Sequence, residues 1–123
     1  DMKENINKIC ENIYQANKAK GFWEDREDLD KKYSGNELEF VKKASKAQML
    51  ALIHSEISEA LEADRKNLMD NKLSHRTGLE VELADAVIRI FDMAGGLGMD
   101  LGGAIEEKLN YNTTRPYKHG KSY

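Results

Sequence analysis

Apolar residues recur along this chain at helical spacing, and no stretch shows the strict alternation of a half-buried strand. Two segments dominate the pattern: residues 49–66, MLALIHSEISEALEADRK, and residues 78–94, GLEVELADAVIRIFDMA. Placed on a wheel at about 100° per residue, the first gathers Leu50, Ile53, Ile57, Ala60, Leu61 and Leu68 into one apolar arc. Gln48, His54, Ser55, Ser58, Glu62, Arg65 and Lys66 form its polar arc. The second is apolar over most of its circumference, leaving only the stripe Glu82, Asp85, Arg89 and Asp92 polar. A helix with so little polar surface belongs at the centre of its bundle. The ten residues of LMDNKLSHRT join the two segments, a link short enough to predict an antiparallel hairpin.

Local signals set most of the boundaries. Ile6, Ile9, Cys10, Ile13 and Ala16 or Asn17 predict a first helix over Lys3–Lys20, stopped by Gly21. Thr77-x-x-Glu80 is a capping box for the second central helix, and the run Gly95-Gly96-Leu97-Gly98 ends it. Asp100 caps a last helix with Leu101, Ala104, Ile105 and Leu109 on its apolar row. The charged segment Glu24–Lys43 is the hardest to read. Asn36-x-x-Glu39 and Ser45-x-x-Gln48 are both possible capping boxes, so the first central helix starts near Glu37 or near Lys46. The prediction is one all-α domain over residues 1–123, a bundle of four to five helices around a central antiparallel pair.

Composition narrows the classes. Charged residues make up 33% of the chain, yet the net charge is only −3. That balance gives no electrostatic footprint for nucleic acid or for a membrane surface. No apolar run approaches the roughly 18–20 residues of a membrane span, and the start of the chain shows no signal-peptide core. The lone Cys10 fits a reducing cytoplasm and reads as a small buried hydrophobe.

The candidate chemistry lies in four acids. Glu56 and Glu59 on the first central helix, and Glu82 and Asp85 on the second, are each spaced i, i+3. Such neighbours have Cβ atoms roughly 5–6 Å apart. The hairpin would bring all four together, where two like charges about 5 Å apart cost on the order of 3 kcal/mol at an effective dielectric near 20. A divalent cation removes that cost, and an all-oxygen set suits Mg²⁺, or Mn²⁺, rather than zinc. Either pair alone could equally be a solvated helix edge. Neither His54 nor His75 has the Glu-x-x-His spacing of a di-iron bundle.

E-x-x-E followed after twenty-two residues by E-x-x-D on consecutive helices resembles the MazG-like all-α nucleoside triphosphate pyrophosphohydrolases. The resemblance runs from about Ala19 to Tyr123 and includes AKGFW and the ending KLNYNTTRPYKHGK. It implies Mg²⁺-dependent hydrolysis of a nucleoside triphosphate to monophosphate and pyrophosphate, in the house-cleaning or control of nucleotide pools. Glu56, Glu59, Glu82 and Asp85 would hold the metal, with Glu56 or Glu59 taking the proton of the attacking water. Trp23 would lie near the base, although a Trp at a helix end also serves as a lid on the core. Lys108, Asn112 and Arg115 would contact the substrate, Asn112 standing where some members carry Arg. A homodimer or homotetramer would complete the site. A nucleotide-binding protein without turnover, and a helical interaction module without a metal, are the other two classes that fit these residues.

Overall fold

The computed structural model describes all 123 residues and is helical throughout, with no strand. In chain order the elements are α1 (Met2–Ala19), two single-turn helices α2 (Glu24–Glu27) and α3 (Leu29–Lys32), α4 (Gly35–Arg65), α5 (Gly78–Gly96) and α6 (Leu101–Asn112). A short 3₁₀ turn at Tyr117–Gly120 follows. No helix is long and apolar enough to cross a membrane.

The three long helices that precede α6 end by the same device. At the end of α1 the Gly21 N–H donates to Lys18 O (3.0 Å) and the Phe22 N–H to Asn17 O (3.2 Å), with Gly21 at φ +88°. This is the Schellman motif, which satisfies the last carbonyls through one left-handed residue. Asn67 (φ 52°) plays that part after α4, and Gly98 (φ 68°) after α5. Starts are equally local. Thr77 and Glu80 form the reciprocal capping box of α5, and the Asp100 side chain accepts from the Gly103 N–H at the head of α6.

The start of α4 lies two residues before Glu37, at the earlier of the two sequence alternatives. The helix begins at Gly35, behind an extended Ser34, and runs 31 residues without a break. No proline or further glycine interrupts the chain until Gly78, so nothing stops helix propagation through Ser45. Neither Asn36 nor Ser45 caps it.

The helices pack as a row in the order α4, α5, α1, α6, with α5 against both α4 and α1 and with α6 seated on α1. α1 and α5 come unusually close because Gly95 faces the backbone of Cys10, where a Cβ would press on the Cys10 carbonyl oxygen and on Tyr14. Cys10 is 2% exposed, and burial pushes its thiol pKa up, which fits the inert, packed residue expected from sequence. One turn nearer the start of α1 the Asn7 amide donates to Asp100 (2.7 Å) and its carbonyl accepts from the Gly102 N–H (2.8 Å), which joins α6 to the row.

The row leaves apolar surface uncovered. Only 11 of 123 residues are buried, and no large side chain is fully enclosed. Leu50, Ile57 and Leu61 along α4 are 48–60% exposed, and Leu83, Val87 and Ile90 along α5 are 37–45% exposed. Spaced i, i+7, i+11 on one helix and i, i+4, i+7 on the other, each set is a continuous stripe.

Candidate functional site

The hairpin of α4 and α5 brings Glu56, Glu59 and Glu82 together. One carboxylate oxygen from each lies within 4.8 Å of the other two. Glu56 is buried at 8% exposure, Glu82 is half-buried and Glu59 is exposed. Asp85, one turn beyond Glu82, stands outside this tight trio but lines the same cavity as Glu56.

The electrostatics of the seam are uneven. The Arg89 Nε–H donates to Glu56 Oε1 at 2.9 Å, and this is the only cation paired with the cluster. Burial pushes the Glu56 carboxyl up, but the hydrogen bond and charge of Arg89, with hydrogen bonds to Glu82 and Glu59, hold it below the usual range. Glu82 carries the imbalance. Burial first, then its carboxylate neighbours Glu56 and Glu59, push its pKa from 4.5 to about 7. Burial and the charge of Glu56 push Asp85 up as well, against the charge of Arg89.

One atom of the trio stands apart. Glu82 Oε2 is buried without any hydrogen-bond partner, and a buried acceptor left unpaired costs on the order of 1–3 kcal/mol. An oxygen-rich group of three carboxylates with an unsatisfied lone pair fits a hard divalent cation such as Mg²⁺ or Mn²⁺.

Beside the seam lies a cavity of about 530 Å³ between α4, α5 and the segment after α1. Trp23, Phe22, Met49, Leu52, Ile88 and Met93 make its apolar walls. Asp25, Glu56, Asp85 and Asp92 supply its acids, Arg26 and Arg89 its cations, and Asn17, Ser45 and Gln48 its neutral polar groups. A volume of this size and mixed lining suits a small organic ligand.

Trp23 is held in this wall from three sides. Its indole N–H donates to Asp92 Oδ1 at 3.0 Å, and its ring meets Tyr14 edge-on with centroids 5.0 Å apart. Gly96 lies beneath the ring, where any Cβ would overlap the indole. At 6% exposure Trp23 is a lid on the core, and part of the same side chain walls the cavity. Phe22, 75% exposed and also lining the cavity, was not singled out by sequence. Its only signal was adjacency to Trp23.

Lys108, Asn112 and Arg115 are placed elsewhere. None lines the cavity, because α6 sits on α1, with α1 and α5 between it and α4 in the row. Lys108 Nζ lies 4.7 Å from the centroid of the Tyr111 ring and the Arg115 guanidinium 5.8 Å from it. Asn112 Oδ1 is buried without a partner. The cation that does meet the acids, Arg89, was visible from sequence only as a member of the polar stripe of α5.

No family model, no characterised protein and no solved structure matches the chain.

Proposed function

We propose that this protein hydrolyses a nucleoside triphosphate, ribose or deoxyribose, between its α and β phosphates to give the monophosphate and pyrophosphate. The observation that carries the reading is the seam of Glu56, Glu59 and Glu82, with its unpartnered buried oxygen, opening beside a cavity walled by an indole. The resemblance of the double acidic motif to MazG-like pyrophosphohydrolases supports the same chemistry.

Glu56, Glu59 and Glu82 would hold Mg²⁺, or Mn²⁺, with Asp85 at the edge of the set. When bound there the ion supplies positive charge for the phosphate oxygens and acidifies a water molecule. Glu59, exposed and without a cationic partner, takes the proton of the water that attacks the α-phosphorus, whereas Glu56 is committed to Arg89. The bond from the α-phosphorus to its bridging oxygen breaks, and the electron pair leaves with pyrophosphate. The wall of Trp23 and Phe22 takes the base, since stacking on an aromatic face contributes about 1–3 kcal/mol per base.

Lys108, Arg115 and Asn112 serve the pyrophosphate and sugar from a second copy of the chain. Two features support a homodimer or homotetramer: α6 is remote from the seam within one chain, and the apolar stripes of α4 and α5 lack cover. Apolar patches of this kind mark association surfaces.

The test is a panel of nucleoside triphosphates with Mg²⁺, assayed for monophosphate and pyrophosphate together. Equimolar release of both from at least one triphosphate is expected. Release of orthophosphate instead, or no turnover of any, would sink the reading. One observation favours a second reading, a helical module without turnover: Arg89 already neutralises Glu56 in the chain itself. On that reading Mg²⁺ leaves the melting temperature unchanged.

A further inference from the structure

The cavity holds two cations, Arg26 and Arg89, and only Arg89 is paired with an acid of the seam. Arg26 is engaged through Nη1, which donates to the Lys42 carbonyl at 3.2 Å. Arg89 spends only Nε, on Glu56, and its two terminal nitrogens make no hydrogen bond. The side chain is 43% exposed while its carboxylate partner is 10% exposed, so Nε is held on a buried oxygen while the arginine still lines the open cavity. Glu56 thus anchors the guanidinium in a set orientation at the boundary between the acids and the apolar walls.

A planar guanidinium with one edge committed and one edge free is suited to an oxyanion, which it can grip through two parallel N–H donors. Anionic ligands in this cavity would otherwise face Asp25, Glu56, Asp85 and Asp92. The basic residues of α6 do not reach it from the same chain. We infer that Arg89 is a substrate-binding residue of this site, its terminal nitrogens holding a phosphate oxygen of the ligand while Nε stays on Glu56. The inference rests on the proposed phosphate chemistry and adds to it a cation that this chain itself supplies. It also explains why the Glu56 partner is an arginine: a lysine has a single nitrogen to offer and cannot hold the carboxylate and a phosphate in a fixed plane.

The experiment separates the ion from the anion. Mn²⁺ binding alone is measured by electron paramagnetic resonance, and binding of imidodiphosphate, a non-hydrolysable stand-in for pyrophosphate, by calorimetry in Mg²⁺. The chains compared are wild type, Arg89→Gln, Arg89→Lys and Arg26→Gln. Arg89→Gln is expected to bind Mn²⁺ as tightly as wild type or tighter, because a competing cation is gone, and to bind imidodiphosphate on the order of 30-fold more weakly. Arg89→Lys should recover only part of that loss, and Arg26→Gln should lose less than threefold. Imidodiphosphate binding by Arg89→Gln within threefold of wild type would overturn the inference while leaving the metal seam intact. Parallel loss of Mn²⁺ and anion binding would overturn it too, assigning Arg89 to the support of Glu56. A wild-type chain that binds neither probe would remove the proposed function and this inference together. Should Arg89→Gln fail to fold, Arg89→Lys alone decides, with equal anion affinity counting against the inference.

Discussion

Two interhelical junctions in this protein bring together polar groups, and they are balanced in opposite ways. Where α6 meets α1, the Asn7 amide gives its donor to Asp100 and its acceptor to the Gly102 N–H, and Asp100 also receives the Gly103 N–H with Lys3 3.5 Å away. Those hydrogen bonds, from Asn7 first, hold the Asp100 carboxyl below its usual range. Where α4 meets α5, three carboxylates gather beside one guanidinium that pairs with Glu56 alone, Glu82 rises to about 7 and one of its oxygens has no partner. The first junction is complete within the chain and therefore structural. The second is short of positive charge, and its acids are the ones proposed above to hold a cation.

Substitutions separate the two junctions. The largest effect falls on turnover: Glu59→Gln, which removes a carboxylate from the seam, is expected to lower triphosphate hydrolysis by about 10²–10⁴-fold, the range for loss of a general base. The same variant should fold at least as stably as wild type in metal-free buffer, as read by thermal denaturation. Retained turnover would show that the seam is not the reaction centre.

Stability changes come next, and the two junctions should respond with opposite signs. Asn7→Ala leaves Asp100 and the Gly102 N–H without their shared partner and is expected to destabilise the fold by about 1–3 kcal/mol. Glu82→Gln at pH 8 without metal should stabilise it by about 1–3 kcal/mol, since the raised pKa of Glu82 measures the cost of its charge. Denaturant titrations of both variants check the signs, and a destabilising Glu82→Gln would break the comparison.

A pH series sharpens it further. Because the folded-state pKa of Glu82 lies above its ordinary value of 4.5, the folded chain holds the extra proton. Its contribution to stability is therefore full below about pH 4.5 and is lost as pH rises through about 7. Asp100 has the opposite sign: its lowered pKa adds stability above its ordinary value that is lost on acidification. Metal-free wild type should accordingly lose melting temperature between pH 5 and pH 8, and Glu82→Gln should flatten that fall. Equal slopes in the two proteins would contradict the assignment.

The smallest effect on the single chain concerns the uncovered stripe of α4. Leu61 is 60% exposed, so Leu61→Glu should change the stability of the isolated chain by no more than about 0.5 kcal/mol. In sedimentation it should shift the protein from dimer or tetramer toward monomer. A wild-type chain that is already monomeric at micromolar concentration would remove the shared-site proposal for Lys108 and Arg115.

Much of this arrangement was legible in the sequence because it is set by local chemistry. Gly21, the Thr77 and Glu80 pair, Gly98 and Asp100 each fix a helix end through atoms within a few residues, and all act where the sequence places them. Three of the four i, i+3 acids came together because a short link leaves the helices only one way to pack, while Asp85 stands outside the trio. What escaped detection depends on reach and on neighbours. A wheel gives the azimuth of Arg89 but not the length of a side chain that crosses from α5 to Glu56 on α4. Gly95 and Gly96 read as a helix stop, yet both lie inside α5, where they make room for Cys10 and Trp23. The flank of α6 that carries Lys108 and Asn112 was expected to face the acids. The order of helices in the row, which no local signal encodes, puts α1 between α6 and the pair that carries the acids.

The central claim is that the seam between α4 and α5 is completed by a divalent cation, and thermal unfolding at pH 8 with and without millimolar Mg²⁺ tests it most directly. An ion that binds only the folded chain raises its stability by RT ln(1 + [L]/Kd), about 2.7 kcal/mol at a hundredfold excess over Kd. The wild-type melting temperature should therefore rise by several degrees with Mg²⁺, while Glu59→Gln and Glu82→Gln show little or no rise. A wild-type protein indifferent to Mg²⁺ and to Mn²⁺, or variants that respond as strongly as wild type, would contradict the account.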